Sequence, residues 1–141
     1  MSTYASPEEL REVLDKVFTL LNEDAEAAAA LKAADAPTRY EFTDLESVLN
    51  IRPAREDEEG NLLWQWSDEP GWLPHVRMTM SGEVANRFFQ GKENVPVALA
   101  TQRIKAGGDV KAALGLIPAT APVHERYRAL VEAEYPHLLI G

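Results

Sequence analysis

The three histidines of the chain, His75, His124 and His137, are the first residues to consider for metal or acid–base chemistry. No two of them stand four residues apart, so they lack the paired helical spacing of a zinc site. The chain contains no cysteine, which excludes disulfides, thiolate zinc ligands and a cysteine nucleophile. The histidines are therefore expected on the surface, and no metal site is predicted.

Three further segments contain residue types that catalysis or phosphate binding would need. Ser81 precedes a glycine but lacks the G-x-S-x-G frame of a hydrolase nucleophile. The segment AGGDVKAALG (106–115) lacks the spacing and the lysine of a phosphate-binding loop, and Asp109 stands where the phosphate would lie. Asp44 and Glu46 form only an isolated acid pair. The sequence therefore predicts no catalytic residue, no cofactor and no enzymatic activity.

The acidic charge of the chain lies in its first half. Residues 1–70 have 17 acidic and 6 basic side chains, a net charge of −11, whereas residues 71–141 have 6 acidic and 8 basic ones, a net charge of +2. The overall charge of −9 argues against nucleic acid and against strong binding to anionic membranes, because both need clustered lysine and arginine. The four consecutive acids from Glu56 to Glu59 indicate a solvated turn rather than a cation site.

Hydrophobic periodicity predicts the elements that position these residues. Ser6, Pro7 and Glu9 form a helix start signal, and apolar residues then recur at helical spacing. After Pro37 the period changes to two, which predicts one long or kinked strand over 38–53.

Later apolar runs predict further strands, with Ser81 capping a helix that ends at Gly91 and Asp109 capping the next one. The loop DEPGWLP is expected to leave Trp72 exposed. The result is a single α+β domain over 1–141, with a mostly antiparallel sheet covered on one side by helices. It comprises an N-terminal helix pair (1–36), a sheet with an inserted helix (38–108) and C-terminal helices (109–141).

Apolar side chains are the main feature that remains after this search. Strand residues Met78 and Met80 and helix residues Phe88 and Phe89 are large, and methionine adapts to irregular shapes. From periodicity alone, a packed core is the favoured interpretation.

The order and spacing of motifs from Val76 onward resemble the sterol carrier protein-2 (SCP2) type of lipid-binding domain. The family pattern has a strand ending in T-M-[ST], a helix, a G-K pair, a short apolar segment with Pro and Ala, a G-K-[LI]-K-[IV]-x-G-[DN] strand and turn, and an apolar helix. Here these motifs are Thr79-Met80-Ser81, Gly91-Lys92, Pro96 with Ala98, QRIKAGGD (102–109) and VKAALGL (110–116). The upstream segment RYEFTDLESVLNI is similar to the first strand of bacterial members, and LIPATAPVHERYRALV is similar to their C-terminal helix region. The chain departs from the pattern at Gln102, where the family has glycine, at Arg103, where it has lysine, and at Ala106, where it has a larger aliphatic residue.

The resemblance implies an apolar tunnel between sheet and helices that binds a fatty acid, a fatty acyl-CoA, a sterol-like or an isoprenoid molecule without catalysis. The ligand-binding residues that it implies are Trp64, Trp66, Met78, Met80, Phe88, Phe89, Leu99, Gln102, Ile104, Leu114, Leu130 and Val131. A lipid headgroup would meet Gln102, Arg103 or Lys105 near the mouth.

An alternative function stays open, that of an accessory or dimerisation module for a lipid-metabolism enzyme, with a vestigial cavity. Trp72 and the terminal LLIG segment are then the expected contact points. The sequence has no signal-peptide pattern and no run of about 20 apolar residues, which predicts a cytoplasmic protein. A monomer or homodimer is expected, with transient contact to a membrane or to a lipid enzyme.

Overall fold

The computed structural model describes residues 3–140, except the side chains of Val110 and Ile117. A five-stranded sheet is covered on one side by helices, as the sequence predicts. The elements in chain order are α1 (Pro7–Asn22), α2 (Ala25–Ala34), β1 (Thr38–Phe42), β2 (Ser47–Pro53), β3 (Leu62–Trp66), β4 (Val76–Met80), α3 (Gly82–Phe89), α4 (Val95–Ala100), β5 (Ile104–Gly108), α5 (Val110–Ala119), α6 (Ala121–Glu134) and a 3-10 turn at Pro136–Leu138.

The strand order is β3-β2-β1-β4-β5. The pairings β1–β2, β2–β3 and β4–β5 are antiparallel, and β1–β4 is parallel, so the mostly antiparallel prediction is confirmed. Tyr40 in the middle of β1 pairs with Leu49 on one side and with Met78 on the other. The next residues across the sheet are Trp66, beside Leu49, and Ala106, beside Met78. This row of side chains faces the helices.

The helix starts follow the predicted capping residues. The Ser6 hydroxyl accepts the Glu9 N–H at 3.1 Å, and the Ser81 hydroxyl accepts the Val84 N–H at 3.3 Å. The Asp109 carboxylate likewise accepts a backbone N–H at 3.0 Å at the start of α5. These bonds satisfy N–H groups that have no partner within the helix.

The predicted single strand over 38–53 is wrong, because β1 and β2 form a hairpin. The chain reverses at 43–46, where Leu45 N–H donates to Phe42 C=O at 3.2 Å and Glu46 has φ +47°. The Asp44 carboxylate accepts the Gly82 N–H at 2.7 Å, so this turn is held against the start of α3. An aspartate in a short polar run is a turn signal, and the alternating pattern on both sides of it hid that signal.

The expected exposure of the chain's contact points is also corrected. Arg52 lies 4.8 Å above the ring of partly buried Trp72, and its neighbour Leu73 is the exposed residue, at 85%. Leu138, in the terminal LLIG segment, is fully buried, and Leu139 packs against the core. Gly141 lies outside the described residues.

A buried hydrogen-bond network fixes both ends of the described chain. The hydroxyls of Tyr4 and Tyr127 lie 2.5 Å apart, and Tyr127 donates to Asn86 Oδ1 at 2.7 Å. Asn86 Nδ2 and Gln90 Nε2 both donate to the carbonyl of Leu138, at 2.9 and 2.7 Å. These residues join the N-terminal segment, α3, α6 and the C-terminal turn in one connected arrangement.

Two of the three histidines are exposed as predicted, namely His75 and His137. His124 differs, because it is partly buried and its ring packs edge-on against Phe88 with the ring centres 6.5 Å apart. Burial lowers the pKa of His124, which therefore favours the neutral form.

Gln102 occupies a left-handed backbone conformation with φ +61°, at the position where the SCP2 pattern has glycine. A side chain in this region destabilises the folded state by about 1–2 kcal/mol. Glycine removes that strain but makes the unfolded chain more flexible, which lowers stability by about 0.4–1 kcal/mol. Gln102→Gly is therefore expected to raise the free energy of unfolding by about 0.5–1 kcal/mol in urea titrations.

The neighbouring Thr101 is the matched control, because its φ is −93°. Thr101→Gly is expected to lower stability by about 0.5–1 kcal/mol. Equal losses in both variants would contradict the assignment of strain to Gln102.

Candidate functional site

Two narrow apolar crevices lie between the sheet and the helices. Measured to the centre of a water-sized sphere, their volumes are about 40 and 30 Å³. Tyr40, Leu116 and Thr120 line both crevices, so the two adjoin at this point. The first crevice is further lined by Phe18, Leu31, Ile51, Leu62, Phe89 and Val123, and the second by Met78, Phe88, Val95, Leu99, Ala106 and Leu114.

Three aromatic rings form the partition between the crevices. The ring centre of Tyr40 lies 5.6 Å from that of Phe89 and 6.1 Å from that of Phe88. Phe88 and Phe89 meet edge to face at 5.2 Å. The two phenylalanines are adjacent in α3, so each reaches a different crevice, and the tyrosine closes the gap between them from the sheet side.

Five of the twelve ligand-binding residues implied by the resemblance line these crevices. Met78, Phe88, Leu99 and Leu114 line the second, and Phe89 lines the first. The structure places the other seven elsewhere in the fold.

Three of those seven are core residues, and Met80, which is described below, is a fourth. Ile104 on β5 and Val131 on α6 are 1% and 0% exposed, and Leu130 is 8% exposed. None of the three is among the described residues that line either crevice. Their side chains fill space between packed elements.

Trp64 and Trp66 are bound to α1 through their indole nitrogens. Both Nε1–H groups donate to the same carboxylate oxygen of Asp15, at 3.0 and 2.7 Å. The Trp64 ring packs on Phe18 at 5.8 Å, and the Trp66 ring packs on Phe42 at 6.4 Å. The tryptophans thus join β3 to the helix layer next to the first crevice.

Met80 and Gln102 line a separate polar groove together with Arg103 and Lys105. Its volume is about 450 Å³ by the same measure. Arg103 is paired with the nearly buried carboxylate of Glu93, Nη2 to Oε1 at 2.6 Å. Lys105 makes no ion pair within residues 3–140, whereas Arg87 and Arg103 in the same groove are both paired with Glu93.

An ion pair borders the first crevice. Arg52, which lines the crevice, donates to both carboxylate oxygens of Glu58 at 2.7 Å. Hydrogen bonds from Arg52 and from the Arg55 N–H lower the pKa of Glu58 to about 2. The acidic run 56–59 is otherwise exposed, as predicted for a turn.

Sequence reasoning missed the residues at the junction of the crevices. Alternation in the sequence places Tyr40 and Phe42 on one face of their strand, but it does not show that Tyr40 lines a site. Leu116 and Thr120 lie four residues apart, and Ala113 on the same helix lines the second crevice. This spacing is visible in the sequence, but it does not distinguish the wall of a crevice from an ordinary apolar helix face.

In the described part of the chain, no cluster of three or more acidic or histidine side chains could hold a metal ion. None of the helices there has the length and apolar character that crossing a membrane requires.

No protein-family model matches the chain, and no curated protein sequence does so. Among solved structures, sterol carrier protein 2 from Yarrowia lipolytica (apo form) is similar with a TM-score of 0.58 and 15% identity, over 88% of this chain and 98% of that one. The sterol carrier protein domain 2 of Helicoverpa armigera has the same TM-score and 17% identity, over 81% and 87%. The chain therefore has the SCP2-like fold that its motifs predict.

A third similar structure is the stereoselective inverting sec-alkylsulfatase Pisa1 from Pseudomonas sp.. Its TM-score is 0.53 with 16% identity over 65% of this chain. This chain spans only 14% of the length of that enzyme. A unit of this shape thus also forms a small part of a much longer chain.

The hydrogen bonds that Trp64 and Trp66 donate to Asp15 are predicted to contribute measurably to stability. Asp15→Ala removes the acceptor of two indole N–H groups, and hydrogen bonds to a charged group contribute about 1.5–3 kcal/mol. We expect the free energy of unfolding to fall by about that amount, with a changed tryptophan emission maximum in the folded state. Asp68→Ala is the control, because that exposed side chain makes no hydrogen bond in the described structure, and its effect should stay within about 0.5 kcal/mol. Equal effects of the two variants would contradict a stabilising role for the hydrogen bonds from Trp64 and Trp66 to Asp15.

The Arg52–Glu58 pair predicts a specific dependence of stability on pH. The pKa of Glu58 falls from 4.5 to about 2 on folding, so its contribution is complete above pH 4.5 and is lost as pH falls toward about 2. The difference in unfolding free energy between wild type and Glu58→Gln should therefore shrink across this window. Exposed Glu56 is the control, and Glu56→Gln should change the free energy of unfolding by less than about 0.5 kcal/mol. A difference for Glu58→Gln that does not change across this pH window would rule out the pairing.

Proposed function

We propose that the chain binds a hydrophobic lipid between its sheet and its helices, without catalysis, and that it transfers this lipid. The observation that carries this proposal is the pair of adjoining crevices with apolar walls. The candidate cargo is a fatty acid, a fatty acyl-CoA, a sterol-like or an isoprenoid molecule. Burial alone can hold such a ligand, so the proposal requires no reactive group.

The hydrophobic effect is large enough for burial alone to hold such a ligand. Each buried methylene group contributes about 0.8 kcal/mol, so a dozen contribute about 10 kcal/mol. Lost translational and rotational freedom opposes association by several kcal/mol. The remainder corresponds to dissociation constants of about micromolar, which allow both capture and release.

A lipid would have to widen the crevices into a continuous tunnel, and α5 is the element best suited to move. Its Leu114 is 52% exposed, although this residue lines the second crevice. Pro118 lies inside the helix, and a proline has no N–H to bond the carbonyl four residues earlier. Leu114 thus has little packing to lose in an outward shift of α5, and the bond missing at Pro118 makes the helix easier to bend there. Similar structures that are named sterol carrier proteins support this function as analogues.

A second candidate function is that of an accessory module for a lipid-metabolism enzyme. The similarity to a small part of the Pseudomonas sec-alkylsulfatase favours it, because there the unit belongs to a larger chain. This candidate predicts a stable hydrophobic interface, and exposed Leu73 is a contact point for it. Sedimentation with and without such an enzyme separates the two functions.

Lipid binding is tested by filling the second crevice from its wall. Ala106 lines this crevice from β5, and Ala106→Phe would place a ring where cargo should lie. If the ring displaces two methylene groups, affinity for a fluorescent acyl probe should fall about 10-fold. Native mass spectrometry of freshly purified wild type should show a bound lipid, and the variant should show less.

Arg77→Phe is the matched control, because exposed Arg77 lies on the neighbouring strand β4 and alternates with Met78, so it faces away from the crevices. It should bind the probe like wild type. The proposal fails if wild type binds no acyl probe above background and contains no lipid.

A further inference from the structure

The hydroxyl group of Tyr40 has no hydrogen-bond partner among the described residues. Tyr40 is 5% exposed, and its hydroxyl makes no hydrogen bond within residues 3–140. The other three tyrosines differ, because the hydroxyls of Tyr4 and Tyr127 bond to each other and that of Tyr135 bonds to Glu12 and Lys16. Tyr40 is also the tyrosine that lines both crevices.

The presence of a tyrosine at this position, rather than a phenylalanine, needs a physical reason. Buried tyrosine hydroxyls are nearly always hydrogen-bonded. The Tyr40 oxygen is not among the fully enclosed polar atoms that lack a partner, so it is accessible from the crevices that Tyr40 lines. Phenylalanine would fill the same space among Phe42, Phe88 and Phe89 but would offer a ligand no donor. Burial raises the pKa of Tyr40, so the group keeps its proton and is available as a donor.

The surroundings determine what kind of acceptor fits. The described residues that line the second crevice carry no charge. In the first crevice the charged lining residue is Arg52, and both oxygens of Glu58 already accept from it. An ionised carboxylate at the junction would be desolvated without a counter-charge, which is strongly unfavourable. The buried Nε–H of Arg52 is a second donor without a partner, but Glu58 already neutralises the charge of Arg52, so an uncharged oxygen fits these donors better than a carboxylate does.

We infer that Tyr40 donates a hydrogen bond to an uncharged oxygen of the bound lipid, at the point where the two crevices meet. The ligand class is thus a long-chain lipid with an ester, thioester or ketone carbonyl, or with a hydroxyl group, inside its apolar part. Pure hydrocarbons and ionised fatty acids are disfavoured. This inference rests on the proposed function and specifies which lipids the same site selects.

The test compares probes of similar length with and without the oxygen. Methyl hexadecanoate, octadecane and the hexadecanoate anion at pH 8 each displace a pyrene-labelled alkane from wild type and from Tyr40→Phe. The variant should bind the methyl ester about 3- to 10-fold more weakly, which is the range for one neutral hydrogen bond, and octadecane within about 2-fold. In wild type the ester should bind more tightly than the anion. Tyr135→Phe, which removes a hydroxyl far from both crevices, should leave the order of affinities unchanged.

A second readout separates a hydrogen bond from a change of shape. The carbonyl carbon of methyl hexadecanoate labelled with ¹³C should resonate downfield when bound to wild type, and should move upfield in Tyr40→Phe. The stability of Tyr40→Phe without lipid should equal or exceed that of wild type, because no internal hydrogen bond is lost. A folded variant is therefore expected for the comparison.

The outcomes separate the inference from the function on which it rests. If ester and hydrocarbon both bind and Tyr40→Phe changes neither affinity nor the carbonyl resonance, the inference is overturned while lipid binding stands. If the anion binds as tightly as the ester, the restriction to uncharged oxygens is overturned. If none of the probes binds to wild type, the proposed function itself fails.

Discussion

The parallel pairing of β1 with β4 is the constraint on which both crevices depend. It sets Tyr40 beside Met78, and a parallel neighbour cannot be reached through a tight turn. The chain crosses over through β2 and β3, and this crossover supplies Ile51 and Leu62 to the first crevice. From β4 the chain then enters α3 at once, which brings two phenylalanines over Tyr40. One strand pairing therefore creates both walls and the ring that divides them.

Local signals in the sequence were enough to predict the helix starts and the face of each strand. Ser6 and Ser81 cap helices because a hydroxyl next to an apolar helical run has one favourable use. The hairpin at 43–46 was missed because both of its strands alternate in the same way, so periodicity gave no boundary between them. The orientation of Trp64 and Trp66 was equally hidden, since their common acceptor, Asp15, is about fifty residues away in the chain.

The candidate site could be predicted only in part, for a related reason. Periodicity tells which side chains face the helices, but it does not tell whether a helix fills the space in front of them. Ile104 and Met78 both point inward from neighbouring strands, yet the first is packed in the core and the second borders a crevice. The difference arises from α4 and α5, whose small residues, such as Ala113, leave a gap that no strand pattern records.

The network that includes Tyr4, Tyr127, Asn86 and Leu138 brings the two ends of the described chain to one place. A polypeptide with adjacent ends can be threaded into a host protein, because the host chain leaves and re-enters at nearly the same point. The same closeness would let a short linker join the ends and allow new termini to open in a surface loop. In this domain, the buried hydrogen bonds between the two ends are the feature that would favour such an insertion.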